Sequence, residues 1–201
     1  ADIDDSIALN EDSLFRIYSM TKPITGAALM ILVEQGKVSL SDPVAKYIPE
    51  FKNTKVLNTK TNQLEKLDRE VTLLDLATHS SGLTYSFVDR GKIKEIYDKE
   101  KIYPYYFLDN VSLERPAKKS YPDICTLSEK VATLPLVHQP GEKWTYSIGM
   151  DVLGCVIERA SNLSFGEFLK KNIFDPLGME DTFFEVPNSK QNRMIDLYAH
   201  K

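Results

Sequence analysis

The chain has 201 residues, which accommodates one or two domains, and 42% of them are hydrophobic, as in ordinary globular proteins. Its 25 lysine and arginine residues against 29 aspartate and glutamate residues give a net charge of −4 without a basic block. This charge pattern argues against nucleic-acid binding and against a polybasic membrane contact. The longest apolar run, residues 27–33, is far too short to span a bilayer.

Cysteine and histidine placement predicts neither a disulfide scaffold nor a metal site. Cys125 and Cys155 are too few for a scaffold, and we expect buried thiols rather than a bridge. His138 and His200 lack cysteine or carboxylate partners at the spacing of metal ligands, so no zinc site and no cofactor are predicted. The start at Ala1 indicates no compartment, and nothing in the sequence indicates an oligomeric state.

The first predicted helix covers residues 20–35, where apolar side chains recur at helical spacing. Pro23 falls in its first turn, where a missing N–H is tolerated, and Gly36 follows as a stop signal. Because this segment is apolar on nearly all sides, we expect it to be buried at the centre of the domain.

Ser19 and Lys22 stand three residues apart at the start of this helix and therefore face the same side. A lysine amine beside a serine hydroxyl is one way for acyl-transfer enzymes to make a nucleophile without histidine. Random placement of 15 serines and 19 lysines along 201 residues would give about 1.4 such pairs, so the spacing alone is weak evidence.

Shorter elements follow the first helix. Asp42 and Pro43 predict a short helix, with Asp42 as its N-cap, that ends before Pro49. Residues 52–70 are polar and lysine-rich, which predicts a surface loop or hairpin. Thr72 and Asp75 form a variant capping box for a helix over residues 73–77. In the turn that follows, we expect His79 to bond the turn and Gly82 to supply a positive φ.

Residues 85–123 carry many aromatic side chains with little periodicity, and two interpretations stay open: a lid over a site, or a satellite cluster packed on the domain. Further helices are predicted over residues 126–134, 150–160 and 165–173, the last with a capping box between Ser164 and Glu167. Between them, Trp144 is interpreted as a packing anchor.

Five sequence blocks in a fixed order carry a resemblance to a known family. They are Phe15-Arg-Ile-Tyr-Ser-Met-Thr-Lys-Pro-Ile-Thr, Leu40-Ser-Asp-Pro-Val, Leu74-Asp-Leu-Ala-Thr-His-Ser-Ser-Gly-Leu, Pro140-Gly-Glu-Lys-Trp-Thr-Tyr-Ser and Asp175-Pro-Leu-Gly-Met-Glu-Asp-Thr-Phe. In order and spacing the chain resembles the serine β-lactamase-like hydrolases, a group with class C β-lactamases, D-alanyl-D-alanine carboxypeptidases and family VIII carboxylesterases. The resemblance is closest to the family VIII esterase branch and covers residues 12–186.

The resemblance implies an α+β fold of the β-lactamase/transpeptidase type. Ser19 is then the nucleophile, Lys22 its partner, and Tyr146 the tyrosine of the second family motif, Tyr-x-Asn. An ammonium beside a phenol stabilises the phenolate, which lets the pair accept the serine proton near neutral pH. The Ser19 backbone N–H, at a helix start, forms half of an oxyanion hole. Tyr18, Ser147 and Ile148 are the candidate substrate-binding residues.

Two departures from the family pattern limit the functional prediction. Ile148 stands where the usual asparagine, thought to bind the amide side chain of β-lactams, is found in β-lactamases. The third motif and the outer sheet strands do not occur within residues 1–201, so we expect this segment to be a partial domain. It is then mainly the helical region, with the antiparallel sheet incomplete and residues 85–123 as the aromatic excursion or lid.

We therefore predict a serine hydrolase acting on small acyl esters, which forms an acyl-enzyme on Ser19. Two alternatives stay open. One is a penicillin-binding carboxypeptidase or weak β-lactamase, with a β-lactam-like ligand as substrate. The other is a non-catalytic member of the fold that binds a ligand or partner without turnover.

Overall fold

The structure, a computed structural model, describes residues 8–89, 91–100, 102 and 121–196. Within them lie six α-helices and one two-stranded antiparallel sheet, an α+β arrangement dominated by helices. The helices are Thr21–Glu34 (α1), Leu73–Ala77 (α2), Gly91–Lys99 (α3), Ile124–Ala132 (α4), Gly149–Ser161 (α5) and Phe165–Leu169 (α6). The strands are Lys55–Leu57 (β1) and Leu64–Lys66 (β2). No helix in this part of the chain is long and apolar enough to cross a membrane.

Helix α5 lies at the centre of the fold and packs against α1, α2, α4 and α6. The expectation that the first helix is buried at the centre, with nearly all of its sides covered, is wrong. Helix α1 buries the face that carries Thr25, Ala28, Leu29 and Leu32, whereas Met30 on another face is 46% exposed. Helix α5 buries an unbroken run from Val152 to Ile157, so it contributes more of the core than α1.

The two cysteines form a disulfide between α4 and α5, with the Cα atoms of Cys125 and Cys155 4.8 Å apart. The expectation of two buried thiols is therefore wrong. The physical reason is the close crossing of the two helices, which a glycine at position 154 permits. A Cβ on Gly154 would lie only 2.4 Å from Cδ1 of Ile124.

The capping box predicted for α2 is present and is extended by an ion pair. Thr72 accepts the N–H of Asp75, and the Asp75 carboxylate accepts the N–H of Thr72. Arg69 donates two hydrogen bonds to the same carboxylate, of 2.6 and 2.8 Å. Together these contacts fix the start of α2, and with it the turn at His79 that follows the helix.

The polar segment predicted as a loop or hairpin is a hairpin, in which Val56 of β1 pairs with Glu65 of β2. The short helix predicted at Asp42 is a single 3-10 turn, Val44–Lys46, without a side-chain cap. The Asp42 carboxylate instead accepts the N–H of Ser39 and bonds from Lys46 and Tyr47. Pro43, rather than Asp42, occupies the N-cap position of the turn.

The last predicted helix begins as expected, with reciprocal bonds between Ser164 and Glu167, but it changes pitch after Leu169. Residues Lys170–Phe174 form a π-helical turn. Most of the aromatic excursion, including Tyr103, Tyr105, Tyr106 and Phe107, lies outside the described residues, so the choice between lid and satellite cluster stays open.

Candidate active site

Ser19 lies on the exposed surface in a 3-10 turn, Tyr18–Met20, that leads directly into α1. The residue before it, Tyr18, has a φ of +42°, which is uncommon for a residue with a side chain. Strained backbone of this kind is concentrated at functional sites, because surrounding structure must hold it in place. The backbone N–H of Ser19 belongs to the first turn of the helical segment, where N–H groups have no intrahelical acceptor.

Lys22 lies one turn further along the chain, and its Nζ donates a 3.0 Å hydrogen bond to Ser19 Oγ. The same ammonium lies 4.9 Å from the ring centroid of Tyr146 and 5.9 Å from that of Tyr85. Since Lys22 is half-buried between two aromatic rings, its position is constrained by packing as well as by the hydrogen bond.

Tyr146 reaches the same serine from a segment 127 residues away, and its hydroxyl lies 2.7 Å from Ser19 Oγ. Burial raises the pKa of Tyr146. Hydrogen bonds from Lys22 and Ser19 together with the Lys22 charge outweigh that effect and hold the pKa below its usual value of 10. The phenol is therefore a stronger acid, and its phenolate a more accessible base, than in water.

His79 holds the segment that carries Tyr146. Its carbonyl oxygen accepts the N–H of Thr145 at 2.8 Å, and its Nδ1 accepts the N–H of Ser147 at 3.3 Å. The ring also contacts Tyr146, with centroids 5.0 Å apart. Burial and the Lys22 charge lower the pKa of His79 below 6.5, so the ring is neutral at neutral pH. The sequence predicted a structural histidine; the structure shows that it bonds the Tyr146 segment.

Behind this group lies a second pair, Tyr85 and Asp151, which the sequence interpretation left outside the site. The Tyr85 hydroxyl donates a 3.3 Å hydrogen bond to Asp151 Oδ2, and the Tyr85 ring lies 5.6 Å from that of Tyr146. Asp151 is in the first turn of α5, five residues after Tyr146. That spacing from Tyr146 is the one local signal that could have drawn attention to it.

The structure thus brings Ser19, Lys22 and Tyr146 together, although it separates the predicted substrate-binding residues. Tyr18 is 40% exposed beside Ser19. Ser147 is fully buried and bonded through Oγ to His79, and Ile148 is only 5% exposed within the core. A direct substrate contact predicted for these two residues disagrees with their burial. Ser147 instead bonds His79, and Ile148 packs in the hydrophobic core.

The interpretation of Trp144 as a packing anchor is also wrong. Its side chain is 67% exposed, and its ring meets the edge of His79 with centroids 5.8 Å apart. It lies 6.3 Å from the Tyr146 ring. The ring therefore forms an open aromatic surface next to the phenol rather than a part of the core.

Chemically, the arrangement can activate a serine. Ser19 Oγ is within hydrogen-bond distance of a phenol oxygen and of an ammonium, so its proton can pass to Tyr146 while Lys22 offsets the charge that remains. Among the described residues, no group of three histidine, cysteine, aspartate or glutamate side chains could hold a metal ion.

Comparison with known proteins agrees with these observations. The family model described as beta-lactamase matches residues 1–200. Protein Rv1367c of Mycobacterium tuberculosis is 36% identical over 200 residues, a match that covers 98% of this chain and 45% of the relative. The lovastatin esterase of Penicillium rubens is 35% identical, covering 92% of this chain and 44% of the relative. Esterase EstB of Burkholderia gladioli is 32% identical, a match that covers 88% of this chain and 40% of the relative.

Solved structures show the same fold. EstCE1, described as a hydrolase with promiscuous acyltransferase activity, aligns with a TM-score of 0.74 at 23% identity over 96% of this chain and 45% of that one. A beta-lactamase/D-alanine carboxypeptidase from Yersinia pestis aligns with a TM-score of 0.66 at 25% identity. This alignment covers 96% of this chain and 46% of that one. The chain thus spans less than half the length of the proteins it matches.

Proposed function

Since the chain belongs to the beta-lactamase family, whose model matches residues 1–200, we propose that it forms an acyl-enzyme on Ser19 and hydrolyses small carboxylic esters. The observation that carries this proposal is the position of one serine oxygen, 2.7 Å from a tyrosine hydroxyl and 3.0 Å from a lysine ammonium. Two relatives, at 32% and 35% identity, are called esterases, which supports the choice of ester substrates. Residues 1–201 would then be the mainly helical part of the domain.

In the proposed acylation step, the Tyr146 phenolate takes the proton of Ser19, and Ser19 Oγ attacks the ester carbonyl. The carbonyl becomes a tetrahedral oxyanion, to which the Ser19 backbone N–H would donate a hydrogen bond. As the intermediate collapses, the C–O bond to the alcohol breaks and Tyr146 returns the proton to the leaving oxygen. The products of this step are a free alcohol and an ester on Ser19.

Deacylation repeats the sequence with water as the nucleophile. Tyr146 accepts a proton from the water, the hydroxide attacks the acyl carbonyl, and the Ser19 oxygen leaves with the proton that Tyr146 gives back. Throughout both steps the Lys22 ammonium stays beside the two oxygens that gain negative charge. The role proposed for Lys22 is therefore to stabilise the phenolate and the serine alkoxide.

The rival within the family is action on β-lactams or D-alanyl peptides, which the same three residues could also perform. The residue two positions after Tyr146 favours the esterase. Ile148 is apolar and buried, so it offers no hydrogen bond to an amide side chain where β-lactamases have asparagine. A non-catalytic role is disfavoured because a binding protein has no need of the serine, lysine and tyrosine in mutual contact.

The test is covalent labelling with a fluorophosphonate, followed by rates on p-nitrophenyl butyrate and nitrocefin, all in the full-length protein. We expect labelling and ester hydrolysis to be lost in Ser19→Ala and kept in Ser189→Ala, a matched change at an exposed serine in the 3-10 turn Asn188–Arg193. Efficient nitrocefin turnover without ester hydrolysis would instead support the β-lactam rival. No labelling of the wild-type protein would support a binding role.

A further inference from the structure

We propose that Asp151 is a positioning residue that, through Tyr85 and the Lys22 charge, controls when Tyr146 acts as the base for Ser19. This inference rests on the proposed function, because it concerns the proton transfer of the same site. The side-chain partner of Asp151 in this site is Tyr85 rather than Ser19. Its effect would come from its charge and from the side chains it holds.

The structural basis is a chain of contacts that runs behind the reacting groups. Asp151 Oδ2 accepts the Tyr85 hydroxyl at 3.3 Å, and Tyr85 is 7% exposed, so the bond is largely shielded from water. The Tyr85 ring faces the Lys22 ammonium at 5.9 Å and the Tyr146 ring at 5.6 Å. Tyr85 therefore contacts the carboxylate at its hydroxyl and both proton-transfer residues through its ring.

Charge couples the same groups. Burial is the largest effect on Asp151 and raises the pKa of its carboxyl above the usual value, although the Lys22 ammonium and the Tyr85 hydroxyl act in the opposite direction. On Tyr146, the Lys22 charge lowers the pKa and the Asp151 charge raises it. The Lys22 cation thus acts on two acidic groups, the Asp151 carboxylate and the Tyr146 phenolate.

Other groups that face Tyr146 do not offset this coupling. Lys22 comes from α1, Asp151 from α5, and His79 from the turn after α2. Burial and the Lys22 charge lower the pKa of His79, so this ring carries no charge at neutral pH. Among the described residues, Asp151 is the negative group whose charge raises the pKa of Tyr146, so its removal should let the phenolate form at lower pH.

The experiment measures kcat/KM against pH on p-nitrophenyl butyrate for the full-length wild type, Asp151→Asn and Asp151→Glu. In the profile of kcat/KM against pH, we expect the acidic limb of Asp151→Asn to lie at lower pH than that of the wild type by about half a unit or more. The reason is the loss of one negative charge near Tyr146. Asp151→Glu keeps the charge and should keep the limb. Glu34→Gln, an exposed charge removal at the far end of α1, is the matched control and should leave the limb unmoved.

The inference is wrong if the wild type is active and the acidic limb of the Asp151→Asn pH profile stays in place. A lower rate alone would not support it, because a purely structural role lowers the rate equally at all pH values. A wild type without labelling or turnover would overturn the proposed function instead. Should Asp151→Asn fail to fold, Tyr85→Phe keeps the ring and removes the donor to Asp151. Losing that donor raises the pKa of Asp151 and so weakens its negative charge. We then expect the acidic limb of kcat/KM to move to lower pH, and an unmoved limb would contradict the inference.

Discussion

His79 Nδ1 accepts the backbone N–H of Ser147 at 3.3 Å and lies 3.1 Å from the Oγ of the same residue. Ser147 Oγ also accepts the N–H of Gly149, so its own proton is available to His79. The turn after α2 is thereby joined to the start of α5 around the residue between them, Tyr146. The position of the phenol over Ser19 thus depends on a histidine that takes no part in the proposed chemistry.

His79→Ala removes the Nδ1 acceptor and leaves the buried N–H of Ser147 without its partner. We expect a loss of about 1–3 kcal/mol in the free energy of unfolding, measured by urea denaturation. The rate on p-nitrophenyl butyrate should fall more than stability alone explains, because the Tyr146 segment loses its support. His79→Asn, which suits the φ of +57° at this position, should lose less. Equal stability of His79→Ala and wild type would contradict this role.

The pH dependence of stability follows from the lowered pKa of His79. Because the folded pKa lies below the unfolded value of about 6.5, the unfolded chain binds more protons as pH falls below 6.5. The contribution of His79 to stability is therefore complete above that pH and declines below it. We expect the stability difference between wild type and His79→Asn to shrink from pH 7.5 to pH 5. A difference that stays constant over this range would show that His79 titrates normally.

Tyr146→Phe removes the hydroxyl that lies against Ser19 and keeps the ring between Lys22, His79 and Tyr85. General base catalysis contributes roughly 10²- to 10⁴-fold, so kcat should fall by that factor while KM changes little. In the wild type, activity should rise with pH through the pKa of Tyr146, which lies below 10. The control is Tyr47→Phe, whose hydroxyl bonds Asp42 away from the site. Wild-type turnover by Tyr146→Phe would assign the base to another group.

The disulfide between Cys125 and Cys155 closes a loop with a sequence separation of 30 residues. In the chain-entropy model, a loop of this length stabilises the folded state by about 3–4 kcal/mol. We therefore expect the double variant Cys125→Ser/Cys155→Ser to unfold at lower urea concentration than the oxidised wild type, and to match the wild type under reducing conditions. Two free thiols in the unfolded, unreduced wild type would show that the bridge is absent.

Features that depend on neighbouring residues could be predicted from the sequence. The Thr72–Asp75 box, the Ser164–Glu167 box and the Ser19–Lys22 pair all lie within four residues, so periodicity and capping rules determine them. Tyr146 is 127 residues from Ser19 and was identified only through the family resemblance.

Contacts that depend on how helices cross were not predictable in the same way. The disulfide requires α4 and α5 to approach closely, and the Tyr85–Asp151 bond joins residues 66 positions apart. The central position of α5 likewise depends on which apolar helix the others pack around, and the composition of α1 did not decide that. Tertiary packing, rather than local propensity, set each of these features.

Gly82 provides the strictest test of the turn that leads away from His79. Its φ is +83°, and a Cβ at this position would lie 2.3 Å from the carbonyl oxygen of His138, a backbone atom that cannot move aside cheaply. Gly82→Ala should therefore cost about 2–4 kcal/mol of unfolding free energy, through backbone strain and overpacking together. Gly26→Ala is the matched control, since nothing lies within 4 Å of its Cβ position inside α1. Alanine is the better helix former, so this variant should be as stable as wild type or up to about 1 kcal/mol more stable. If both variants unfolded at the same urea concentration as the wild type, this result would contradict the close approach of the turn to His138.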